Sequence, residues 1–246
     1  MKLFLTSEAT INKRVDGIKV SCKINSANNF IDNLLSFTKN AKNFVFLVNN
    51  PDEVEDNDIS AKFTFDALKN IGINLISCIV LDNRTSKNCE EIIKNADIVF
   101  LQGGKIQCQV DFIKQNKIDK YLKISNAVLI GKSAGAMILC KDIYNYPEEV
   151  DEFDNQRFLS GLNFTDCPPI IPHFEETTGN VYCNPTLDVL NCFYLPDSEK
   201  MSFLALPNGS YVFVNDDKKI IYGEAFVIRN KSVKKICENN KTTIIK

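Results

Sequence analysis

The order of apolar segments predicts an α/β fold of three layers, in which a mostly parallel sheet is flanked by helices. Through the first 140 residues, short continuous apolar runs alternate with segments of helical period. Such runs are typical of a parallel sheet that is covered on both faces. The final third instead contains short strand-like runs joined by tight turns, which predicts an antiparallel, hairpin-rich C-terminal edge on the same sheet.

Each element of this prediction comes from its own apolar pattern. Apolar runs without helical spacing predict parallel strands at residues 3–5, 44–48, 73–81, 97–101 and 127–130. Apolar residues three or four positions apart predict helices at residues 30–37, 59–71, 90–96 and 106–115. The later strands are expected at residues 170–171, 203–206, 210–215, 219–222 and 225–229. No repeat or long linker divides the chain, so residues 1–246 are expected to form one α/β domain.

The composition argues against several classes of function. The net charge is −2 without a basic patch, so nucleic acid is not an expected partner. No segment approaches the roughly 20 apolar residues that cross a bilayer, and the N-terminal apolar run is too short for a signal peptide, so no membrane is expected. The nine cysteines fall mostly in apolar patterns, and we interpret them as reduced core residues of a cytoplasmic protein.

No cofactor or metal is expected, because the chain has one histidine and no C-x-x-C pair. The expected oligomeric state is a monomer or a homodimer.

The turn at residues 131–135, Gly-Lys-Ser-Ala-Gly, carries the strongest chemical signal in the sequence. It follows the predicted strand at 127–130 and precedes apolar residues 136–139, which are expected to continue as a helix. In the pattern G-x-S-x-G, small residues on both sides let the backbone bend sharply and expose the serine. The helix N-terminus then presents N–H groups to a developing oxyanion. We therefore predict that Ser133 is a nucleophile; the alternative is a helix N-cap.

The chain contains a single histidine, His173, which is the natural candidate for the base. It follows the apolar pair at 170–171 and Pro172, so we expect it at a strand end that faces a cleft. A serine hydroxyl needs an adjacent base, and an imidazole suits both the removal and the return of a proton. A lysine base, Lys132 or Lys105, is the alternative.

Several blocks agree with one family in order and spacing. The segment 131–136 fits G-x-S-A-G-A, and the other matching blocks are residues 3–7, 99–104, 171–174, 206–209 and 223–227. Together they resemble the S51 serine peptidases, the group of aspartyl dipeptidases (peptidase E) and cyanophycinases. The resemblance covers nearly the whole chain.

This resemblance implies a flavodoxin-like or class I glutamine amidotransferase-like fold. It also implies a serine peptidase that cleaves a dipeptide or short peptide through an acyl-enzyme on Ser133. In the family arrangement, backbone N–H groups at Gly104 and Ala134 would form the oxyanion hole. A plainer interpretation of the turn at 103–104 is a strand-to-helix connection that needs a positive φ.

At the third catalytic position the sequence departs from the family. An acidic residue about 35 positions after the histidine is implied, and the count reaches Asn208. An asparagine can accept the imidazole N–H and hold its tautomer, but it cannot offset the imidazolium charge. Alternatively, Glu175, Glu176 or Glu148 orients the imidazole, and Asn208 is simply a turn residue.

The substrate side chain is the least defined feature. No arginine lies between residues 158 and 228, and residues 174–178 are acidic, so strict selection of an acidic acyl-side residue is not expected. We expect polar, neutral or basic side chains, unless a lysine such as Lys105 supplies the charge. The acidic segment 144–156 is expected to form a loop over the site.

Three classes of function remain open from the sequence. The first is the S51-type peptidase. The second is an α/β-hydrolase esterase, although His173 follows Ser133 too closely for that fold. The third is a catalytically weak or inactive relative that acts as a binding protein. A glutamine amidotransferase is disfavoured, because its nucleophile is a cysteine.

Overall fold

The computed structural model describes residues 1–147, 152, 155–175, 188–216 and 218–245. Its strands, numbered along the chain, are β1 (Lys2–Thr6), β2 (Thr10–Val15), β3 (Ile18–Ile24), β4 (Asn43–Leu47), β5 (Ser77–Leu81), β6 (Ile98–Leu101), β7 (Val128–Lys132), β8 (Asp142–Tyr144), β9 (Phe158–Ser160), β10 (Ile170–Pro172), β11 (Phe203–Leu206), β12 (Tyr211–Asn215), β13 (Lys218–Tyr222), β14 (Ala225–Arg229), β15 (Ser232–Cys237) and β16 (Thr242–Ile245). The α-helices are α1 (Phe30–Thr38), α2 (Val54–Asn70), α3 (Cys89–Lys94), α4 (Ile106–Gln115), α5 (Ile118–Ile124), α6 (Ala134–Met137) and α7 (Leu195–Asp197). A π-helical turn, Leu190–Tyr194, leads into α7.

The central sheet has eight strands in the order β16-β13-β12-β1-β7-β6-β4-β5. Five of these strands, β1, β7, β6, β4 and β5, are parallel to one another. On the other side of β1, the strands β12, β13 and β16 add an antiparallel edge. β6 is buried along its whole length and β4 is buried after its first residue, as expected for strands covered on both faces. The predicted α/β class, with a mostly parallel sheet and an antiparallel C-terminal edge, is confirmed.

The C-terminal strands do not all belong to that sheet, which corrects the prediction of a single one. β10, β11, β14 and β15 form a second, four-stranded sheet, in which β10 and β11 are parallel. The chain changes sheets between β11 and β12, through a turn at Gly209, whose φ is +82°. All four residues of β11 are buried, so its apolar run reports burial and carries no information about which strand it pairs with.

An exposed hairpin of β2 and β3, at residues where no element was predicted, is the largest addition to the expected fold. Its turn is Asp16-Gly17, and both residues have a positive φ, 50° and 79°. Asp-Gly between alternating apolar and polar residues is a strong hairpin signal, because both central positions of a type I′ turn need a positive φ. The signal was present in the sequence, but most of β2 is exposed, so no continuous apolar run accompanied it.

The helix after the Ser133 turn is shorter than expected and ends at Met137. The backbone carbonyls of the two residues after it accept hydrogen bonds from a later segment of the chain, so they do not take part in further helical hydrogen bonds. The Leu162 N–H donates to the Ile138 carbonyl at 2.8 Å, and the Phe164 N–H donates to the Leu139 carbonyl at 2.9 Å.

The eight cysteines in the described part of the chain are all free thiols, but only four of them are buried. Cys78, Cys108 and Cys192 are exposed, so their interpretation as core residues is wrong. Cys108 lies on the amphipathic helix α4, where a single apolar residue can face solvent. Among the described residues, no helix is both long and apolar enough to span a membrane.

Candidate active site

Ser133 occupies a strained turn between β7 and α6. Its φ and ψ are 51° and −118°, a conformation that an L-residue adopts only when its surroundings enforce it. Here the Ser133 N–H donates to the Thr6 carbonyl at 2.9 Å, and the Ser133 carbonyl accepts from the Ala136 N–H at 2.8 Å. Ser133 occupies the N-cap position of α6, as the alternative interpretation expected, but its side chain makes no capping hydrogen bond to the helix.

Glycines on both sides of Ser133 allow this turn because the backbone packs too closely for a side chain. A Cβ atom at Gly131 would lie 2.6 Å from the Gly135 carbonyl oxygen. A Cβ atom at Gly135 would overlap the carbonyl oxygen of Leu101 at the end of β6. The pattern G-x-S-x-G therefore reflects two steric requirements of this particular turn.

The glycine turn after β6 lies directly against Ser133. A Cβ atom at Gly103 would lie 3.1 Å from the Cβ atom of Ser133. Gly104 has a φ of +134°, and a Cβ atom there would lie 2.8 Å from the side chain of Asn49. The positive φ expected in this turn thus falls at Gly104. Ala134, the first residue of α6, has a backbone N–H that finds no partner within the helix.

His173 follows β10, and its side chain is fixed by Asn208, which follows β11. Because β10 and β11 are parallel and pair Pro172 with Leu206, the residues after them are neighbours. The Nδ1 atom of His173 lies 2.6 Å from the Oδ1 atom of Asn208. An amide oxygen only accepts, so the proton sits on Nδ1 and the lone pair of the neutral ring sits on Nε2.

Ser7, which follows β1, links the two sheets at this point. Its Oγ atom accepts the backbone N–H of His173 at 2.8 Å and donates to the Oδ1 atom of Asn208 at 3.3 Å. Its own N–H donates to the carbonyl of Ser210 at 3.1 Å. Sequence reasoning placed Ser7 in a matching block but gave it no role. No signal in the sequence identified it, because its partners are more than 160 positions away.

Comparison with known proteins identifies the family of this chain. The sequence profile of peptidase family S51 matches residues 21–222. The chain belongs to peptidase family S51. The resemblance stated from the sequence is therefore confirmed, and the α/β-hydrolase alternative is wrong. A search of curated proteins gives no match.

Two solved structures share the fold of this S51 chain. One is a peptidase from an acI-B1 Actinobacterium, with a TM-score of 0.69 and 13% identity, over 99% of this chain and 96% of that one. The other is a candidate peptidase E protein from Listeria monocytogenes EGD-e, with a TM-score of 0.59 and 18% identity, over 89% of this chain and 96% of that one. At these identities the likeness concerns the fold.

The imidazole of this S51 chain is neutral at physiological pH. Burial is the main cause that lowers the pKa of His173 to about 4; the hydrogen bond with Asn208 opposes it, and the positive charge of Lys132 adds to it. A neutral imidazole is the form that accepts a proton. A pKa this low also makes it a weak base.

Neither lysine offered as an alternative base is directed at Ser133. The Nζ atom of Lys132 donates to the carbonyl and hydroxyl oxygens of Thr10, at 3.0 and 2.9 Å. The Nζ atom of Lys105 pairs with Glu53 at 2.9 Å.

Glu175, one of the glutamates offered in place of Asn208, does not take its position. Glu175 is exposed, and the Nδ1 atom of His173 is bonded to Asn208. Glu148 and Glu176 lie outside the described residues. The interpretation of Asn208 as a turn residue alone is wrong, because its side chain contacts both His173 and Ser7.

Ser133 lies between two cavities of about 450 Å³ each, and Gly104 also lines both. The first, here the α6 cavity, is lined by Asn49, Lys105, Ala134, Met137, Asn145, Tyr146 and Glu152, among others. The second, here the hairpin cavity, is lined by Glu8, Thr10, Asn12, Arg14, Lys19, Lys132 and His173, among others. Part of the expected acidic loop thus borders the α6 cavity; residues 148–151 and 153–154 of that loop lie outside the described part of the chain.

Proposed function

We propose that this S51 chain is a serine peptidase of dipeptides or short peptides, with Ser133 as nucleophile and His173 as general base. Family membership supports a peptidase. The observation that carries the assignment of roles is the placement of a strained Ser133 and an Asn208-bound His173 on one cavity. Two sheets contribute these two residues, and Ser7 ties the sheets together beside them.

In the proposed reaction, the Nε2 atom of His173 takes the hydroxyl proton of Ser133 as Oγ attacks the peptide carbonyl. The N–H groups of Gly104 and Ala134 donate to the oxyanion of the tetrahedral intermediate. The imidazolium then returns its proton to the leaving amine, and the acyl-enzyme forms as the C–N bond breaks. Water, deprotonated by the same imidazole, releases the acid and restores Ser133.

Asn208 sets the expected efficiency of this mechanism. Its amide oxygen holds the proton on Nδ1 of His173, and this places the basic lone pair on Nε2. It adds no negative charge to stabilise the imidazolium in the transition state, and burial of the ring already disfavours that cation. We therefore propose a slower enzyme than a triad with an acid at this position.

The acyl side chain of the substrate is proposed to be neutral or polar. Ala134 lines the α6 cavity, so the acyl group that is bonded to Ser133 would extend into it. The lysine there, Lys105, is already paired with Glu53, and the same cavity contains Glu152. A carboxylate side chain would therefore meet no unpaired cation from the described lining of this cavity.

A panel of dipeptides and tripeptides with varied acyl-side residues tests the proposal. Turnover by the wild type is expected, and Ser133→Ala and His173→Ala are expected to lose at least a thousandfold in kcat. Ser36→Ala, an exposed serine on α1, is the matched control and should retain full activity. Full activity in Ser133→Ala would reject the assignment.

A second candidate function, a binding protein without turnover, is favoured by one observation. The imidazole has a neutral orienting partner and a pKa of about 4, so general-base catalysis is weak. This candidate predicts that the wild type and Ser133→Ala bind short peptides with equal affinity, and that neither cleaves them. Cleavage by the wild type alone would exclude it.

A further inference from the structure

We infer that the hairpin cavity is a subsite for a carboxylate carried by the leaving group of the substrate, the part whose amine is released. The inference rests on the proposed function, because that function defines which side of Ser133 receives the leaving group. The group that this subsite would bind is a carboxylate on the released residue, either its terminal α-carboxylate or an acidic side chain.

The charges that line the hairpin cavity are mainly positive. In the described lining, Arg14, Lys19 and Lys132 contribute three cations, and Glu8 contributes the one carboxylate. None of the three cations forms an ion pair with a carboxylate among the described residues. The excess of positive charge next to Ser133 is suited to an anionic ligand, since a cluster of like charges is stabilised when a counter-charge binds.

The hairpin cavity has polar side chains on one wall and an apolar floor. Alternate residues of a strand share a face, and Thr10, Asn12 and Arg14 of β2 face the cavity together. The aromatic rings of Phe46 and Phe100 lie beneath, stacked 5.7 Å apart between centroids.

Lys132 joins the cation cluster to the Ser133 turn, because it immediately precedes the serine and is half-buried under the hairpin. Burial and, to a smaller extent, the positive charge of Lys19 lower the pKa of Lys132 to about 8, so its side chain is mostly protonated at pH 7. Its ammonium group is held by Thr10, at the start of β2. The hairpin thus fixes the position of a charge beside the proposed nucleophile.

His173 decides which part of the substrate would occupy this cavity. The imidazolium must reach the nitrogen that leaves, so the leaving residue lies on the side of the imidazole. His173 lines the hairpin cavity and not the α6 cavity, whereas Ala134 lines the α6 cavity and not the hairpin cavity. The cations therefore face the leaving residue.

Calorimetric titration of Ser133→Ala, which cannot turn over, tests the subsite with three peptides. Alanyl-alanine is expected to bind at least tenfold more tightly than alanyl-alanine amide, because only the first carries the carboxylate. Recovery of affinity with the α-amide of alanyl-glutamic acid would show that a side-chain carboxylate also occupies the subsite, and no recovery would assign it to the α-carboxylate alone. Equal affinity for all three peptides would overturn the inference.

Charge-removing variants in the same background identify the residues responsible. Arg14→Gln and Lys19→Gln, on the exposed hairpin, are each expected to reduce the preference for the free acid threefold or more, and Lys132→Met to reduce it further. Lys13→Gln, on the same strand but outside the cavity, is the matched control and should leave the preference unchanged. A preference that survives all three cavity variants would contradict the inference.

Turnover by the wild-type enzyme separates this inference from the proposed function. Cleavage of both alanyl-alanine and its amide at equal kcat/KM would reject the subsite and leave the peptidase intact. A binding preference in Ser133→Ala without any cleavage by the wild type would reject the peptidase and keep the subsite.

Discussion

The two halves of the candidate site are held in place by different physical means. On the central sheet, Ser133 is forced into a strained conformation by backbone contacts that exclude side chains at Gly131 and Gly135. On the second sheet, the side chain of His173 is oriented by a hydrogen bond to Asn208, and its backbone N–H by one to Ser7. A sterically fixed turn tolerates almost no added side-chain atoms. The orientation and the protonation of a hydrogen-bonded imidazole, by contrast, can be changed by substitution of its partner and by pH. The four predictions below test that difference, from the largest expected effect to the smallest.

Gly135→Ala is expected to cause the largest loss of stability. The added methyl group would overlap the Leu101 carbonyl, and neither backbone can move without displacing β6 or α6. We expect the free energy of unfolding to fall by about 3 kcal/mol, measured by urea denaturation. Gly72→Ala is the control: Gly72 has a positive φ, which Gly135 does not, but a Cβ atom there has no neighbour within 4 Å, so a loss of only about 1 kcal/mol is expected from the φ alone. Equal losses would show that overlap is not what constrains Gly135.

Acid is expected to destabilise the protein through His173. The pKa of His173 is lowered to about 4 in the folded state, while an unfolded histidine has a pKa of about 6.5. Between these values the unfolded chain binds the extra proton, so the free energy of unfolding falls as the pH is lowered through this window. From pH 7 to pH 5 this contribution amounts to about 2 kcal/mol, and His173→Gln should remove it. An identical pH dependence in the variant would contradict the prediction.

Much of the sterically held half could be predicted from the sequence, because its signals are local. The strand, the two glycines and Ser133 lie within a few positions of one another, and the physics of a sharp turn demands small residues there. The hydrogen-bonded half depends on β10 pairing with β11 and on Ser7, which is distant in sequence. Asn208 was identified only by the spacing of about 35 positions between the histidine and the third catalytic residue in the family. No local pattern in the sequence identified Ser7.

The cations of the hairpin cavity were missed for a related reason. The sequence-based expectation about a substrate-binding cation rested on the absence of arginine from residues 158–228, around the histidine, and on Lys105 as the exception. Arg14 and Lys19 come instead from the β2–β3 hairpin, whose fold was not predicted, and Lys132 was considered only as a base. The contents of a cavity depend on which distant segments pack around it, and apolar periodicity does not encode that packing.

Ser7→Ala is expected to loosen the connection between the two halves. It removes the acceptor of the His173 N–H and a donor to Asn208, and it leaves a partly buried N–H without its partner. We expect a loss of about 1.5 kcal/mol in the free energy of unfolding and a reduced kcat, because the imidazole is less firmly placed. Ser36→Ala serves as the exposed serine control in both measurements. An unchanged kcat would indicate that Asn208 alone orients the ring.

Asn208→Asp is expected to raise kcat about tenfold, which corresponds to about 1.4 kcal/mol of transition-state stabilisation. The carboxylate would stabilise the imidazolium and raise the pKa of His173, so the acid limb of the kcat/KM profile should move to higher pH. Asn126→Asp, an exposed substitution of the same type, is the control. A fall in kcat without a shift of the acid limb would mean that another group has the orienting role.

The central claim is that Ser133 is a nucleophile activated by His173. Peptide mapping by mass spectrometry, after reaction with a fluorophosphonate probe, tests it most directly, because the probe reports attack by Oγ whatever the substrate is. The account predicts a single adduct on Ser133 in the wild type, much slower labelling in His173→Gln, and labelling that declines as His173 is protonated near pH 4. An adduct on another residue, or labelling of Ser133 at the same rate in His173→Gln, would contradict it.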